Sequence, residues 1–307
     1  MTDAADIQGG QIVLIRSLFS GASGMKNHQI RMDVIANNVA NVNTTGFKGS
    51  RCNFQDTLYQ LMRSPSSGYN SPLSGGVNPS QVGLGVMVSS ITSDTGQGNV
   101  QSTGRTLDVA VQGNGWFIIS TDGAQDAVET GSPNTAFTRE GIFYIDNVGN
   151  LVNSNGYSIC DMNGKPIFFQ ELADGERMDT INIEQNGIIS YTLINNSGTF
   201  YYDGSGTGAT DRDSSVPIGL AVFANQDGLR RDGQNLFRIS PASGEGVFGQ
   251  PYQGGYGFLN SGFLEMSNVD LTDEFVYMIT TQRGYQANAR TVTTSDQILE
   301  ELLNIKR

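Results

Sequence analysis

An α+β fold, with long N- and C-terminal helices and an antiparallel β domain between them, follows from three observations. Apolar and small side chains recur in alternating steps of three and four over Ile15–Ala40 and again over the last forty residues, and neither stretch contains proline. Between about residue 100 and residue 262, short apolar runs are separated by Asn-Gly and Asp-Gly pairs, which supply the positive φ angles of hairpin turns. With 39 glycines in 307 residues, 37% hydrophobic and 16% charged, the chain is too apolar to stay disordered and too rich in turn formers for a helical bundle.

In the first helix the repeat runs through Ile15, Leu18, Ala22, Met25, Met32, Ala36 and Val39, with Gln29 as its one polar position. In the last it runs through Leu271, Phe275, Met278, Tyr285, Ala289, Val292, Leu299 and Leu303, interrupted by Gln282 and Asp296. Asp270 or Thr272 can cap this helix, and Asp273 and Glu274 fall in its first turn, where the helix dipole favours negative charge. A helix over Thr272–Ile305 is about 50 Å long, and an apolar seam of that length needs a partner. The expected arrangement is a terminal helical core, residues 1–40 and 268–307, paired as in a coiled coil.

Residues 41–98 are expected to be an extended connector. Ser64–Gly76 is a run of turn formers, and only Phe54–Met62 looks locally ordered, as a short helix. Residues 99–267 form the β domain, with strands expected at Leu107–Val111, Trp116–Ser120, Ile142–Ile145, Ile181–Ile183, Ile188–Leu193, Ile218–Phe223 and Leu236–Ile239, and a polar surface loop at Tyr202–Ser215. Turns are expected at Asn114-Gly115, Asp122-Gly123, Asn163-Gly164, Asn186-Gly187, Asp203-Gly204, Asp227-Gly228 and Asp232-Gly233.

Composition excludes several function classes. A net charge of −12 repels nucleic acid and anionic membrane surfaces. Two cysteines, Cys52 and Cys160, build neither a disulfide framework nor a metal site, and a single histidine, His28, removes most acid–base chemistry. No phosphate-binding glycine motif is present, since Gly164-Lys165 is followed by Pro166. Asp203, Asp211 and Asp213 lack the ordered spacing of a calcium loop. No catalytic residue, cofactor, metal or small-molecule substrate is expected. No run reaches the roughly 18 apolar residues of a membrane helix, and no cleavable secretory signal is visible.

The most distinctive segment is Asn37-Asn-Val-Ala-Asn-Val-Asn-Thr-Thr-Gly-Phe-Lys48. Asparagine competes for backbone hydrogen bonds, so this density marks a helix end, with Gly46 for the turn and Phe47 as an apolar anchor. Its amides also suit polar groups where several chains pack closely.

Here the sequence closely resembles the flagellar rod and hook axial proteins. The likeness extends to Ile15–Met25, Arg31–Lys48, Asn78–Val86, Leu107–Ile119 and Gly262–Arg307. It implies a tubular polymer outside the cell, in the hook or basal body, exported by the flagellar type III apparatus without signal cleavage. It further implies contacts with other axial proteins: distal rod, hook–filament junction and hook cap. Residues 1–13 extend beyond the family's usual start. Gln282–Asn288 and Leu302–Arg307 look more like hook than distal rod, so a flexible hook is the expectation and the distal rod the alternative. A secreted adhesin or glycosidase ranks below both. Two unpartnered seams buried head-to-tail give a helical filament. The residues expected at that interface are Leu18, Met25, Met32, Asn37, Asn38, Asn41, Phe47, Phe275, Met278, Tyr285, Val292, Leu299 and Leu303.

Overall fold

The computed structural model describes residues 3–67, 75–121, 132–169, 178–194, 198–206 and 208–305. Helix α1 spans Asp3–Ala40 and helix α2 spans Leu271–Ile305. Asp270 caps α2 as expected: its Oδ1 accepts the Thr272 N–H at 2.7 Å, and its carbonyl accepts the Glu274 N–H at 3.1 Å. The chain divides into two compact units.

The first unit holds residues 1–40, 50–93 and 270–307. Strand Ser50–Asp56 pairs antiparallel with Val86–Ser93, and Tyr59–Arg63 pairs with Ser80–Gly83. The extended connector expected over 41–98 is therefore not what these residues form, and the expected short helix at Phe54–Met62 is replaced by strand. The reason is pairing over distance. Side chains of the second pair are exposed on both faces, leaving no buried alternation to read. Part of the expected turn-rich run, residues 68–74, lies outside the described residues.

The second unit holds residues 41–49 and 94–269. Its main sheet is antiparallel and centres on Trp116–Ser120, which is buried along its whole length. One edge of this strand pairs with Thr135–Thr138, and the other is shared by Ser158–Ile159 and Leu220–Val222. Successive side chains point to opposite faces. Phe117 and Ile119 enter one core with Val111, Phe143, Leu151 and Ile189, whereas Trp116 and Ile118 enter another with Phe137, Phe223 and Phe237. A three-stranded sheet, Met178–Ile183 with Ile189–Leu193 and Thr199–Tyr201, packs into the first of these cores.

The expected apolar runs all contain strands. Four local expectations change. Asp232-Gly233 belongs to the strand Arg230–Gly233, and the turn falls at Gln234-Asn235, with φ +53° and +59°. Asn114-Gly115 joins strands of different sheets, because Val109–Gln112 pairs with Phe258–Ser261. Asp227-Gly228 lies in a 3-10 turn, Gln226–Gly228. Tyr202, placed at a loop, is a buried core residue, and the loop after it holds a 3-10 turn at Arg212–Ser214. The turn at Asn186-Gly187 is as expected: Gly187 has φ +84°, and an added Cβ would lie 2.9 Å from Pro251 Cγ. The turn expected at Asp122-Gly123 falls outside the described residues.

Candidate assembly surface

Within the first unit, α1 and α2 run antiparallel and meet through small and polar residues. Ser17 Oγ lies 2.9 Å from Ser295 Oγ. Gly21 faces Val292, where a Cβ would come within 2.9 Å, and Gly24 faces Asn288, where it would come within 2.7 Å. His28 faces Gly284, whose added Cβ would lie 2.7 Å from the imidazole Cε1. Asn38 Nδ2 donates to Glu274 Oε1 at 2.8 Å. As the number rises along α1 it falls along α2, in steps of three and four. A glycine inside a helix costs about 1 kcal/mol against alanine, and here three glycines allow the close approach.

The first strand pair lies along α1. Asn38 uses both ends of its amide on Ser50, donating to the carbonyl and accepting the N–H at 2.9 Å each. Asn27 donates to the Val86 carbonyl. Gly85, at φ +125°, leaves no room for a Cβ against Ser23 Oγ. Burial pushes the Glu274 carboxyl up, against the opposing effect of the Asn38 amide.

This unit has almost no core of its own. Among its described residues only Ile35 and Cys52 are buried apolar side chains, whereas Phe19, Leu58, Met62, Ile91, Phe275, Ile279 and Leu303 are exposed. Leu58 is 80% exposed and Leu303 63%. Fully burying such a side chain contributes about 1.5–3 kcal/mol, so a large favourable term is left unused in the isolated chain.

The sequence-predicted positions divide accordingly. Phe275, Tyr285 and Leu303 are exposed, as is Asn37. Leu18, Met25, Met32, Met278, Val292 and Leu299 are half-buried. On α1 the buried line runs through Gly21, Gly24, Asn27, Ile35 and Asn38, about one residue round from Leu18, Met25 and Met32. Asn38 is buried with its amide bonded inside the chain.

Asn41 and Phe47 belong to the second unit. Asn41 is half-buried; its carbonyl and Oδ1 accept the Thr44 N–H and hydroxyl at 3.1 and 3.2 Å. Gly46, at φ +67°, donates its N–H to the Glu265 carbonyl at 2.8 Å. Phe47 is buried beneath the Arg231 guanidinium, 5.3 Å from its ring.

Lys48 is buried beside it, with Nζ 2.7 Å from Glu265 Oε1 and 2.8 Å from the Gly96 carbonyl. Glu265 also accepts the Gly98 N–H at 2.9 Å and Arg139 at 3.2 Å. Burial pulls both Lys48 and Arg139 below their usual range, and Glu265 opposes that shift. Sequence reasoning missed this cluster. Its one legible signal was a charged residue inside an apolar run, as in Phe263-Leu-Glu265-Met, and nothing in the sequence joins it to Lys48.

Charge separates along the same division. The first unit carries nine Lys and Arg against ten Asp and Glu, and the second nine against twenty. The nearly neutral unit carries most of the exposed large apolar side chains, and a surface of that charge can meet a second copy without strong repulsion.

Three family descriptions match the chain: "Flagella basal body rod protein" over residues 18–48, "Flagellar hook protein FlgE/F/G D1 domain" over 110–191, and "Flagellar basal body rod FlgEFG protein C-terminal" over 260–305. The flagellar basal-body rod protein FlgG of Bacillus subtilis is 45% identical over 295 residues, covering 96% of this chain and all of that protein. FlgG of Agrobacterium fabrum is 36% identical, covering 92% and 97%. The flagellar hook protein FlgE of Borreliella burgdorferi is 29% identical over 455 aligned positions, covering 95% and 100%. That hook protein therefore carries stretches this chain lacks.

Proposed function

The chain belongs to the family of flagellar rod and hook axial proteins, structural subunits of the flagellum, and we propose that within it this protein is the subunit of the distal rod. The exposed apolar surface of the first unit carries the assembly reading. Its described residues build almost no core without a partner, and copies of the same chain offer the same surface. We assign the interface to Leu18, Met25, Met32, Phe275, Met278, Tyr285, Val292, Leu299 and Leu303, with α1 and α2 paired in a coiled-coil-like manner. Asn38 and Phe47 hold their own segments in place.

The hook expectation, drawn from Gln282–Asn288, gives way to the rod for two reasons. Rod relatives align at higher identity and end to end, and hook relatives need long stretches absent here. Stiffness agrees with the change. Ser50–Asp56 and Val86–Ser93 are hydrogen-bonded strands tied to α1 through Asn27 and Asn38, not slack chain that could take up length differences. Export through the flagellar type III apparatus and contacts with neighbouring axial proteins follow from the same reading.

Imaging of basal bodies from cells that express a labelled copy tests it. The label should mark a straight segment in which every subunit has one conformation. A label on the curved segment outside the cell would restore the hook.

A further inference from the structure

The geometry points to a pH-sensitive latch in the α1–α2 pair, in which protonation of His28 loosens the helices. His28 is the one histidine of the chain. Its ring is wedged against Gly284 on α2, with no space for a Cβ between them, and meets the Phe54 ring edge-on at 5.7 Å. Nδ1 is buried and has no hydrogen-bond partner among the described residues. A neutral imidazole tolerates that position with a lone pair. The imidazolium would bury an N–H with no acceptor, which is costly.

The surrounding charges give no relief. Arg31, one turn along α1, sits 5.7 Å from both the Phe54 and the Tyr277 rings and repels a second cation. Strand Ser50–Asp56 brings the buried Cys52 thiol and the exposed Arg51 and Asp56, and Val86–Ser93 brings no charge. On α2, Arg283 is exposed beside Gly284, and Glu274 lies about three turns away, bonded to Asn38. Burial, then Arg31, lowers the His28 pKa from its ordinary value.

A depressed folded pKa means that the unfolded pair binds the proton more tightly. Stability is lost as pH falls from the unfolded value of about 6.5 toward the folded one. Glu274 acts in the opposite sense at lower pH. Its raised pKa lets the folded pair take up a proton, so its effect regains stability as pH falls toward the ordinary carboxylate range.

The test uses the full-length chain, titrated from about pH 8 to about pH 5 and read as pelleted fraction and as far-ultraviolet helix signal. The expected result is at least about a twofold rise in the concentration needed for assembly as the histidine charges. His28→Gln, neutral throughout, should abolish that rise, and Arg31→Gln, which removes the repulsion that depresses the folded pKa, should make it smaller. Deuterium exchange at the His28 Cε1 position reports its pKa directly. Identical profiles for the wild type and His28→Gln, or an ordinary histidine pKa in the helix-paired state, overturn the latch. If nothing pellets, the rod reading fails separately, and the helix signal still decides the latch. A chain with no pH-dependent helix in either state overturns it.

Discussion

The Asn38 amide donates a 2.8 Å hydrogen bond to Glu274 Oε1, joining the last turn of one terminal helix to the first turn of the other. The same amide holds both backbone groups of Ser50. One side chain thus fixes three segments far apart in sequence. Asn38→Ala leaves the Ser50 groups and a half-buried carboxyl short of partners, at a cost of about 1–3 kcal/mol. Asn38→Asp should be worse near neutral pH, because it sets a second carboxylate against Glu274. Assembly concentrations for the two variants check that order.

Charge at the end of α2 should block polymerisation and spare the second unit. Leu303 is exposed in the single chain, so Leu303→Asp costs there only about 1 kcal/mol of helix propensity and dipole, yet it places a carboxylate in every repeated contact, at several kcal/mol each. Sedimentation should show monomer, with the melting of the second unit unchanged. Normal tubes from this variant would remove Leu303 from the interface.

Glu265 should be the most sensitive charge in the second unit. Glu265→Gln leaves Lys48 and Arg139 buried without a counter-charge, a loss of about 3–5 kcal/mol. Lys48→Met should cost less, since Arg139 still pairs with the carboxylate. Thermal melts of the two variants give the ranking, and equal losses would contradict it.

Asp161 should make the second unit more stable in mild acid than near neutrality. It is fully buried, its Oδ1 accepts the Asn163 and Lys165 N–H groups at 2.8 and 2.9 Å, and its Oδ2 has no partner among the described residues. Burial raises its pKa, so the folded form keeps a proton that the unfolded form has released. That contribution is present below the unfolded value of about 3.9 and is lost as pH rises through the folded one. Asp161→Asn should raise the melting temperature near pH 7 and flatten the dependence in that window.

Proteolysis of free monomer should remove the terminal helices first, because isolated helices are marginal in water and their unit lacks a core. A fragment of residues 41–269 should be more stable than one of 94–269, since only the longer one keeps Phe47 and Lys48 in place. Equal stability would show that the Asn41–Gly49 segment adds nothing to that fold.

The sequence by itself determined the elements whose causes are local. A three-and-four repeat without proline gave two long helices, Asp270 gave the start of α2, and apolar runs between turn pairs gave the strands. Only the tertiary structure decided which side of each helix meets the other. Gly21, Gly24 and Gly284 carry no hydrophobic signal, and their value is the absence of a side chain where a second helix approaches. The apolar repeat that is legible in the sequence is divided between half-buried positions such as Met25 and Val292 and exposed ones such as Phe275 and Leu303. The strands Ser50–Asp56, Tyr59–Arg63, Ser80–Gly83 and Val86–Ser93 escaped notice for a related reason, since paired residues lie 17 to 43 positions apart and their faces are not sorted by polarity. Lys48, Arg139 and Glu265 form a cluster only because folding removes water from all three at one place, and that desolvation is a property of the packed chain.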